Sequence, residues 1–129
     1  MLAVDTNLVV RLLANDDATQ ARRAAALFAS DQIFISKTVL LESEWVLRFS
    51  YELPPKVILQ ALRNIVGLPN VMVEQQHEIA EALEGFERGL DFADALHLAS
   101  SRRAGRFATF DKKLIKRAEK LTDIELVLA

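Results

Sequence analysis

The 129-residue sequence has no cysteine, only two histidines and no uninterrupted apolar run long enough to cross a bilayer. The absence of cysteine excludes disulfides, thiol nucleophiles and cysteine-based zinc sites, and two histidines cannot form a three-histidine metal site. Because no basic segment followed by an apolar stretch begins the chain, we expect a cytoplasmic protein. The length and the ordinary globular composition predict one domain over residues 1–129.

The sequence also lacks a strong excess of either charge. Its net charge of −2 argues against a protein that binds nucleic acid through overall charge. The positive charges are nevertheless clustered, since eight of the 16 Lys and Arg residues lie between Arg102 and Lys120. Such a cluster is usually a solvated helical face. The alternative is a phosphate-facing patch, for which we single out three residues: Lys112, Lys113 and Lys116.

Short apolar segments alternate with helical patterns along the chain. Strands are predicted near 2–5, 32–36, 70–74, 106–110 and 123–127. Helices are predicted near 6–14, 17–30, 38–51, 55–67, 76–88, 91–104 and 112–120. This alternation predicts an α/β fold with a mostly parallel central sheet and helices on both faces. In such sheets, ligands bind beyond the carboxyl ends of the strands.

Two aspartates stand where a predicted strand ends. Asp5 follows the first strand, and Asp111 follows the strand near 106–110. Either carboxylate could simply cap the next helix, with Asn7 contributing beside Asp5. Either could instead be a ligand of a site completed elsewhere in the fold.

Glu42 has a different setting, within the segment "TVLLESEWVLRFS". Helical spacing places it on a face with Val39, Trp45 and Phe49, so an unpaired carboxylate is predicted to project into an apolar stripe. Burial of that charge would cost several kcal/mol, so something must neutralise it. An arginine from elsewhere is one candidate and a shared cation is the better one. Arg48 pairs more naturally with Glu44, four residues before it.

The segment "LDFADALHLASSRRAG" contains a further acidic pair. Asp91 and Asp94 are three residues apart and share a helical face, which His97 continues. A capping role is again an alternative, with Asp91 at the N-cap. Gathered carboxylates repel one another unless a cation holds them ionised, and an all-oxygen ligand set suits Mg²⁺ or Mn²⁺. Such ions activate water and stabilise the charge that develops on a phosphoryl group.

The helices near 38–51 and 55–67 have more apolar surface than one contact face uses. On the first of them, Leu40, Leu47 and Tyr51 form a second apolar face. A helix that is apolar all round is buried or contacts a partner. A dimer or partner surface and an internal helix pair are both open at this point.

The order and spacing of four stretches extend over nearly the whole chain: "AVDTNLVVRLL", "LLESEWVLR", "DFADALHLAS" and "ATFDKKL". Together these stretches resemble the PIN-domain nucleases, and specifically the VapC-type toxins of prokaryotic toxin–antitoxin pairs. The resemblance implies a three-layer PIN-like fold. It also implies a catalytic and metal-binding quartet: Asp5, Glu42, Asp94 and Asp111. Thr6, Asn7 and Asp91 match residues that support that quartet.

The resemblance further implies Mg²⁺- or Mn²⁺-dependent endonucleolytic cleavage of RNA by a metal-activated water. It implies a homodimer and a cognate VapB-like antitoxin as partners. Glu44 and His97 depart from the usual family pattern, a difference that bears on metal or substrate preference and leaves the quartet intact. Two alternatives remain: a non-catalytic RNA-binding or interaction domain of the same fold, and a PIN ribonuclease that processes RNA without an antitoxin.

Overall fold

The computed structural model describes all residues from Met1 to Ala129, and the chain divides into two compact units, Met1–Gln76 and His77–Ala129. Five strands, seven α-helices and one short 3₁₀ helix make up the two units. No helix combines the length and the apolar composition that crossing a membrane would need.

The first unit contains a three-stranded parallel sheet and four helices. In chain order its elements are β1 (Leu2–Ala3), α1 (Thr6–Ala14), α2 (Ala18–Ser30), β2 (Ile33–Ile35), α3 (Lys37–Phe49), α4 (Pro55–Val66) and β3 (Val71–Val73). The strand order is β1-β2-β3, with Leu2 beside Ile33 and Ile33 beside Val71. Since both pairings are parallel, the carboxyl ends of the three strands lie at one edge of this sheet.

The second unit contains a two-stranded parallel sheet and three helices. Its elements are α5 (Gln76–Glu87, which begins at the last residue of the first unit), α6 (Phe92–Ala99), a 3₁₀ helix (Arg102–Ala104), β4 (Arg106–Thr109), α7 (Lys112–Ala118) and β5 (Glu125–Leu128). Strand β4 pairs with β5, and Arg106 lies beside Glu125. Gly85 lets α5 and α6 approach closely, because a Cβ atom there would lie 3.1 Å from that of Ala95.

The fold class predicted from the sequence is confirmed: the chain is a mixed α/β protein with parallel strands and helices around them. The structure divides the strands between a three-stranded and a two-stranded sheet. The predicted helix over 91–104 is wrong in its length, because α6 ends at Ala99. The N–H of Ser101 donates to the carbonyl of Leu98, three residues back, and the chain then tightens into the 3₁₀ turn that Gly105 ends with a φ of 75°.

Side-chain caps explain where most of the helices begin. Five helices start at a residue whose side-chain oxygen accepts a hydrogen bond from the backbone N–H three residues later. These capping residues are Asp5, Asp17, Ser36, Asp91 and Asp111. Helix α4 instead begins at Pro54–Pro55, where proline fits the first turn without losing a helical hydrogen bond.

Helix α3 buries one of its two apolar faces and exposes the other. Leu40 and Leu47 are in the core, and Leu47 has no exposed surface. Trp45 and Phe49 point outward, with 54% and 57% of their surfaces exposed. Of the two alternatives left open by the sequence, a partner surface is therefore wrong for Leu47, which packs inside the chain. Tyr51 is also engaged within the chain, since its hydroxyl donates to Asp16 at 2.7 Å.

The buried position of Leu47 generates a stability prediction. Leu47→Ala removes a fully buried side chain and leaves a cavity, so the free energy of unfolding should fall by about 2–5 kcal/mol. Val57→Ala, on the exposed side of α4, serves as the control and should lower it by less than about 1 kcal/mol. Urea denaturation followed by circular dichroism measures both. Equal losses in the two variants would contradict the assignment of Leu47 to the core.

Candidate functional site

Asp5 stands at the junction between β1 and α1. Its Oδ1 atom accepts a hydrogen bond from the backbone N–H of Leu8 at 3.0 Å, so the capping role considered from the sequence is present. The cap occupies one oxygen of an exposed carboxylate. The second oxygen has no partner within the chain and can bind a ligand at the carboxyl end of β1.

Thr6, the first residue of the helix that Asp5 caps, contacts Glu42. The buried Thr6 hydroxyl, one residue after Asp5, donates a hydrogen bond to Oε1 of Glu42 on α3. Within the first unit this contact joins two of the residues that the sequence singled out. Asn7 follows as an exposed amide in the first turn of α1.

The prediction that Glu42 is buried in an apolar stripe is wrong. Glu42 is exposed, because α3 packs with the face that contains Leu40 and Leu47 inward. The buried acid is Glu44, which is 1% exposed and forms an ion pair with Arg48 at 3.0 Å. Burial therefore gives no reason for a cation at Glu42. The position of its carboxylate depends instead on the hydrogen bond from Thr6.

Asp94 is the acid of the second unit whose surroundings oppose its charge. Burial raises the pKa of its carboxyl group, and the negative charges of Asp91 and Asp111 raise it further, whereas His97 lowers it. Asp91 is the N-cap of α6 and accepts a hydrogen bond from the backbone N–H of Asp94 at 3.2 Å. The three aspartates are thus close enough to repel, and this repulsion and burial disfavour the ionised form of Asp94.

Asp111 repeats the geometry of Asp5 at the end of β4. Its Oδ1 atom caps α7 by accepting from the N–H of Leu114 at 3.0 Å, and its own N–H donates to the Thr109 hydroxyl at 3.0 Å. The preceding residue, Phe110, is 84% exposed. The second carboxylate oxygen of Asp111 is not used by the cap.

The basic cluster of the second unit is partly neutralised. Arg102 donates to Glu81 and to Asp123, and Arg106 lies 3.3 Å from Glu125. These pairs reduce the positive charge available near the two-stranded sheet. Three exposed lysines on α7 form no ion pair: Lys112, Lys113 and Lys116.

The ligand types fit Mg²⁺ or Mn²⁺, because every candidate donor is a carboxylate, hydroxyl or amide oxygen. The first unit contains Asp5 and Glu42, and the second contains Asp94 and Asp111. Neither unit alone contains three or more acidic or histidine side chains grouped so that they could hold a metal ion. The assignment of these four acids to one site stays a prediction.

Comparison with known families identifies the family of the chain. The model of the PIN domain matches residues 2–121. The chain belongs to the PIN domain family. PIN domains are typically nucleases and generally use divalent metal ions. A search of curated proteins returned no match.

Sequence reasoning missed a polar network beside Asp5 in this PIN domain. Arg11 donates to Gln20 at 2.7 Å and to the Tyr51 hydroxyl at 2.8 Å, and it pairs with Asp16 at 3.2 Å. The hydrogen bond from Tyr51 lowers the pKa of Asp16, and the same bond raises the pKa of Tyr51. The hydrogen-bonded pairs are 9, 5, 40 and 35 residues apart, so helical spacing offered no signal for this network.

The raised pKa of Asp94 predicts how stability changes without metal. A carboxyl group whose folded-state pKa is above its unfolded value destabilises the fold when ionised, and this effect disappears as the pH falls through the folded-state pKa. Asp94→Asn should therefore be as stable as the wild type, or more so, in EDTA at neutral pH. The difference should shrink in mildly acidic buffer, where wild-type Asp94 takes up a proton. Thermal melts across this pH range measure the effect.

Glu52→Gln is the control for this prediction, since Glu52 is an exposed acid in the loop between α3 and α4. It should show no such pH-dependent gain. If Asp94→Asn instead loses about 0.5–1 kcal/mol at every pH, Asp94 serves the helix dipole and the interpretation is wrong.

Proposed function

We propose that this PIN domain is an endoribonuclease that depends on Mg²⁺ or Mn²⁺ and is the toxin of a VapBC-type toxin–antitoxin pair. Its catalytic and metal-binding residues would be the four acids Asp5, Glu42, Asp94 and Asp111. The observation that supports this most is the environment of Asp94, whose ionised form is opposed by burial and by two neighbouring acids. A divalent cation would relieve that opposition.

A bound divalent ion would supply Lewis-acid stabilisation of a phosphoryl group and a nucleophile at neutral pH. The protein groups have separate tasks in this proposal. The Thr6 hydroxyl holds the Glu42 carboxylate in one orientation, and the caps made by Asp5 and Asp111 orient their free oxygens. Asp91 holds the first turn of α6 and so positions Asp94. Asn7 offers an amide beside Asp5.

RNA is the proposed substrate, with the α7 lysines Lys112, Lys113 and Lys116 contacting phosphates. These side chains are exposed and unpaired, so they can release counterions when RNA binds. A non-catalytic RNA-binding domain would retain these lysines and have no use for the acids. An RNA-processing PIN enzyme would retain both and lack an antitoxin. A small reading frame directly upstream that encodes a DNA-binding protein would favour the toxin.

An apolar surface of the first unit is the proposed site for protein partners. Trp45 and Phe49 of α3 and Val57 of α4 are large apolar side chains that remain exposed. The Trp45 and Phe49 rings contact each other, with their centroids 5.0 Å apart, and the Arg48 guanidinium lies over the Phe49 ring. We propose that this apolar surface forms a homodimer, and that an antitoxin regulates the resulting enzyme.

The catalytic proposal predicts a difference between two glutamates of one helix. Glu42→Gln should reduce cleavage of a single-stranded RNA at least about 100-fold with little change in thermal stability, because the exposed carboxylate acts in the reaction. Glu44→Gln should lower the melting temperature, because it disturbs the buried ion pair with Arg48, while the folded fraction still cleaves. Gel-based cleavage assays and thermal melts separate the two effects.

The same assay run in EDTA should show no cleavage, and Mn²⁺ should restore it. A cation that binds only the folded protein also raises stability, by about 2.7 kcal/mol at a hundredfold excess over its Kd. Asp94→Asn should gain much less from Mn²⁺ than the wild type does. Full activity in EDTA would contradict the metal-dependent mechanism.

A charge placed in the proposed partner surface should lower the molecular mass in solution without unfolding the protein. Trp45→Lys places a charge in the exposed apolar surface, so the dimer should dissociate while circular dichroism stays unchanged. Light scattering at high micromolar concentration measures the mass. Lys56→Glu, a charge change on the exposed start of α4, is the control and should leave the mass closer to that of the wild type. A monomeric wild type would contradict the homodimer.

A further inference from the structure

A groove between α1 and α2 begins at Asp5 and extends beyond the residues that have a role in the proposed reaction. Its volume is about 320 Å³, within the range of about 300–1,000 Å³ that is usual for small-molecule sites. Asp5 and Asn7 line one part, and Leu8 and Leu27 provide apolar walls. We refer to it as the α1–α2 groove. All of its lining residues belong to the first unit.

Two arginines line this groove, and they differ in their partners. Arg11 is already bound to Asp16, Tyr51 and Gln20. Arg23 is exposed and has neither an ion-pair nor a hydrogen-bond partner in the chain. The groove therefore has one guanidinium group with its full charge available, on the same surface as a candidate catalytic acid.

The Arg11 network holds the polar wall of the groove in place. Arg11 donates to the side-chain carbonyl of Gln20, so the remaining amide NH₂ group of Gln20 is the part free to bind a ligand. Asp16 and Tyr51 fix Arg11 from its other side. Groups that are already oriented lose little conformational entropy when a ligand binds.

We propose that the α1–α2 groove binds one nucleotide of single-stranded RNA next to the phosphate that is cleaved, with Arg23 contacting a phosphate of that nucleotide. This assignment depends on the proposed ribonuclease function. The base or ribose lies against Leu8 and Leu27, and the amides of Asn7 and Gln20 face the polar edge of the base. Arg23 lies on α2. In this proposal it positions the substrate backbone and takes no part in breaking the bond.

A nucleotide fits this set of groups better than an acidic peptide does. A base offers a flat apolar face and a polar edge, and proteins that read single-stranded RNA use apolar and amide groups for these two features. A purely acidic ligand would use Arg23 but would gain nothing from the leucines.

Binding of a fluorescent single-stranded RNA, measured by anisotropy in EDTA, tests the proposal without cleavage. Arg23→Gln should weaken binding about three- to tenfold and reduce the slope of log K against log[salt] by about 0.7, the value for one phosphate contact to a single strand. Arg22→Gln is the matched control. It makes the same charge change one residue earlier on α2, but Arg22 does not line the groove.

Steady-state cleavage in the presence of Mg²⁺ or Mn²⁺ gives a second measurement. Arg23→Gln should raise KM with kcat nearly unchanged, because the contact is made in both the ground state and the transition state. Equal effects of Arg22→Gln and Arg23→Gln on binding would overturn the groove assignment. Arg23-dependent binding of a polyglutamate peptide without RNA binding would also overturn it, in favour of an acidic protein segment.

The outcomes separate this inference from the enzyme proposal. RNA binding that depends on Arg23, in a protein that never cleaves with any divalent ion, would support the groove and contradict the nuclease. Metal-dependent cleavage with no difference between the two arginine variants would support the nuclease and contradict the groove.

Discussion

The first N–H groups of a helix have no partners within the helix, and in this protein aspartates at strand-to-helix junctions accept their hydrogen bonds. Asp5 and Asp111 each do so at 3.0 Å, and one residue separates each of them from the end of a parallel strand. The cap takes one carboxylate oxygen and holds the other at the strand's carboxyl end. Capping and ligand binding, which are alternatives in the sequence, are compatible in the structure because a carboxylate has two oxygens. Asp91 makes the corresponding cap on α6 and so determines where Asp94 lies.

Helix α3 shows how one helix separates a structural acid from a candidate catalytic one. Glu44 faces the interior, and its charge is balanced by Arg48 one turn later. Glu42 is exposed, and the buried hydroxyl of Thr6 determines its orientation. Because residues two apart on a helix point about 200° apart, only a rotation of α3 by roughly half a turn would exchange their environments. The packing of Leu40 and Leu47 against the core prevents that rotation.

Ion pairs within this PIN domain determine which of its positive charges are available to a ligand. Arg102 and Arg106 are engaged with acids of the second unit, whereas the lysines of α7 are not. In the first unit Arg11 is held by three side chains, whereas Arg23 has none. An unpaired cation retains more of its interaction with a phosphate, because no internal ion pair must first be broken. Exposed cations without internal partners therefore remain at particular positions although the net charge is negative.

The sequence by itself determined the order and approximate limits of the five strands and seven α-helices, because apolar periodicity and helix caps are local signals. It also indicated the PIN family and the Glu44–Arg48 pair, which four-residue spacing alone predicts. Tertiary structure decided which apolar face of α3 is buried, and so placed Leu47 in the core and left Glu42 exposed. It also created the groove beside Asp5. Both outcomes depend on how helices pack against one another, and a helix with two apolar faces does not encode locally which of them its neighbours will cover.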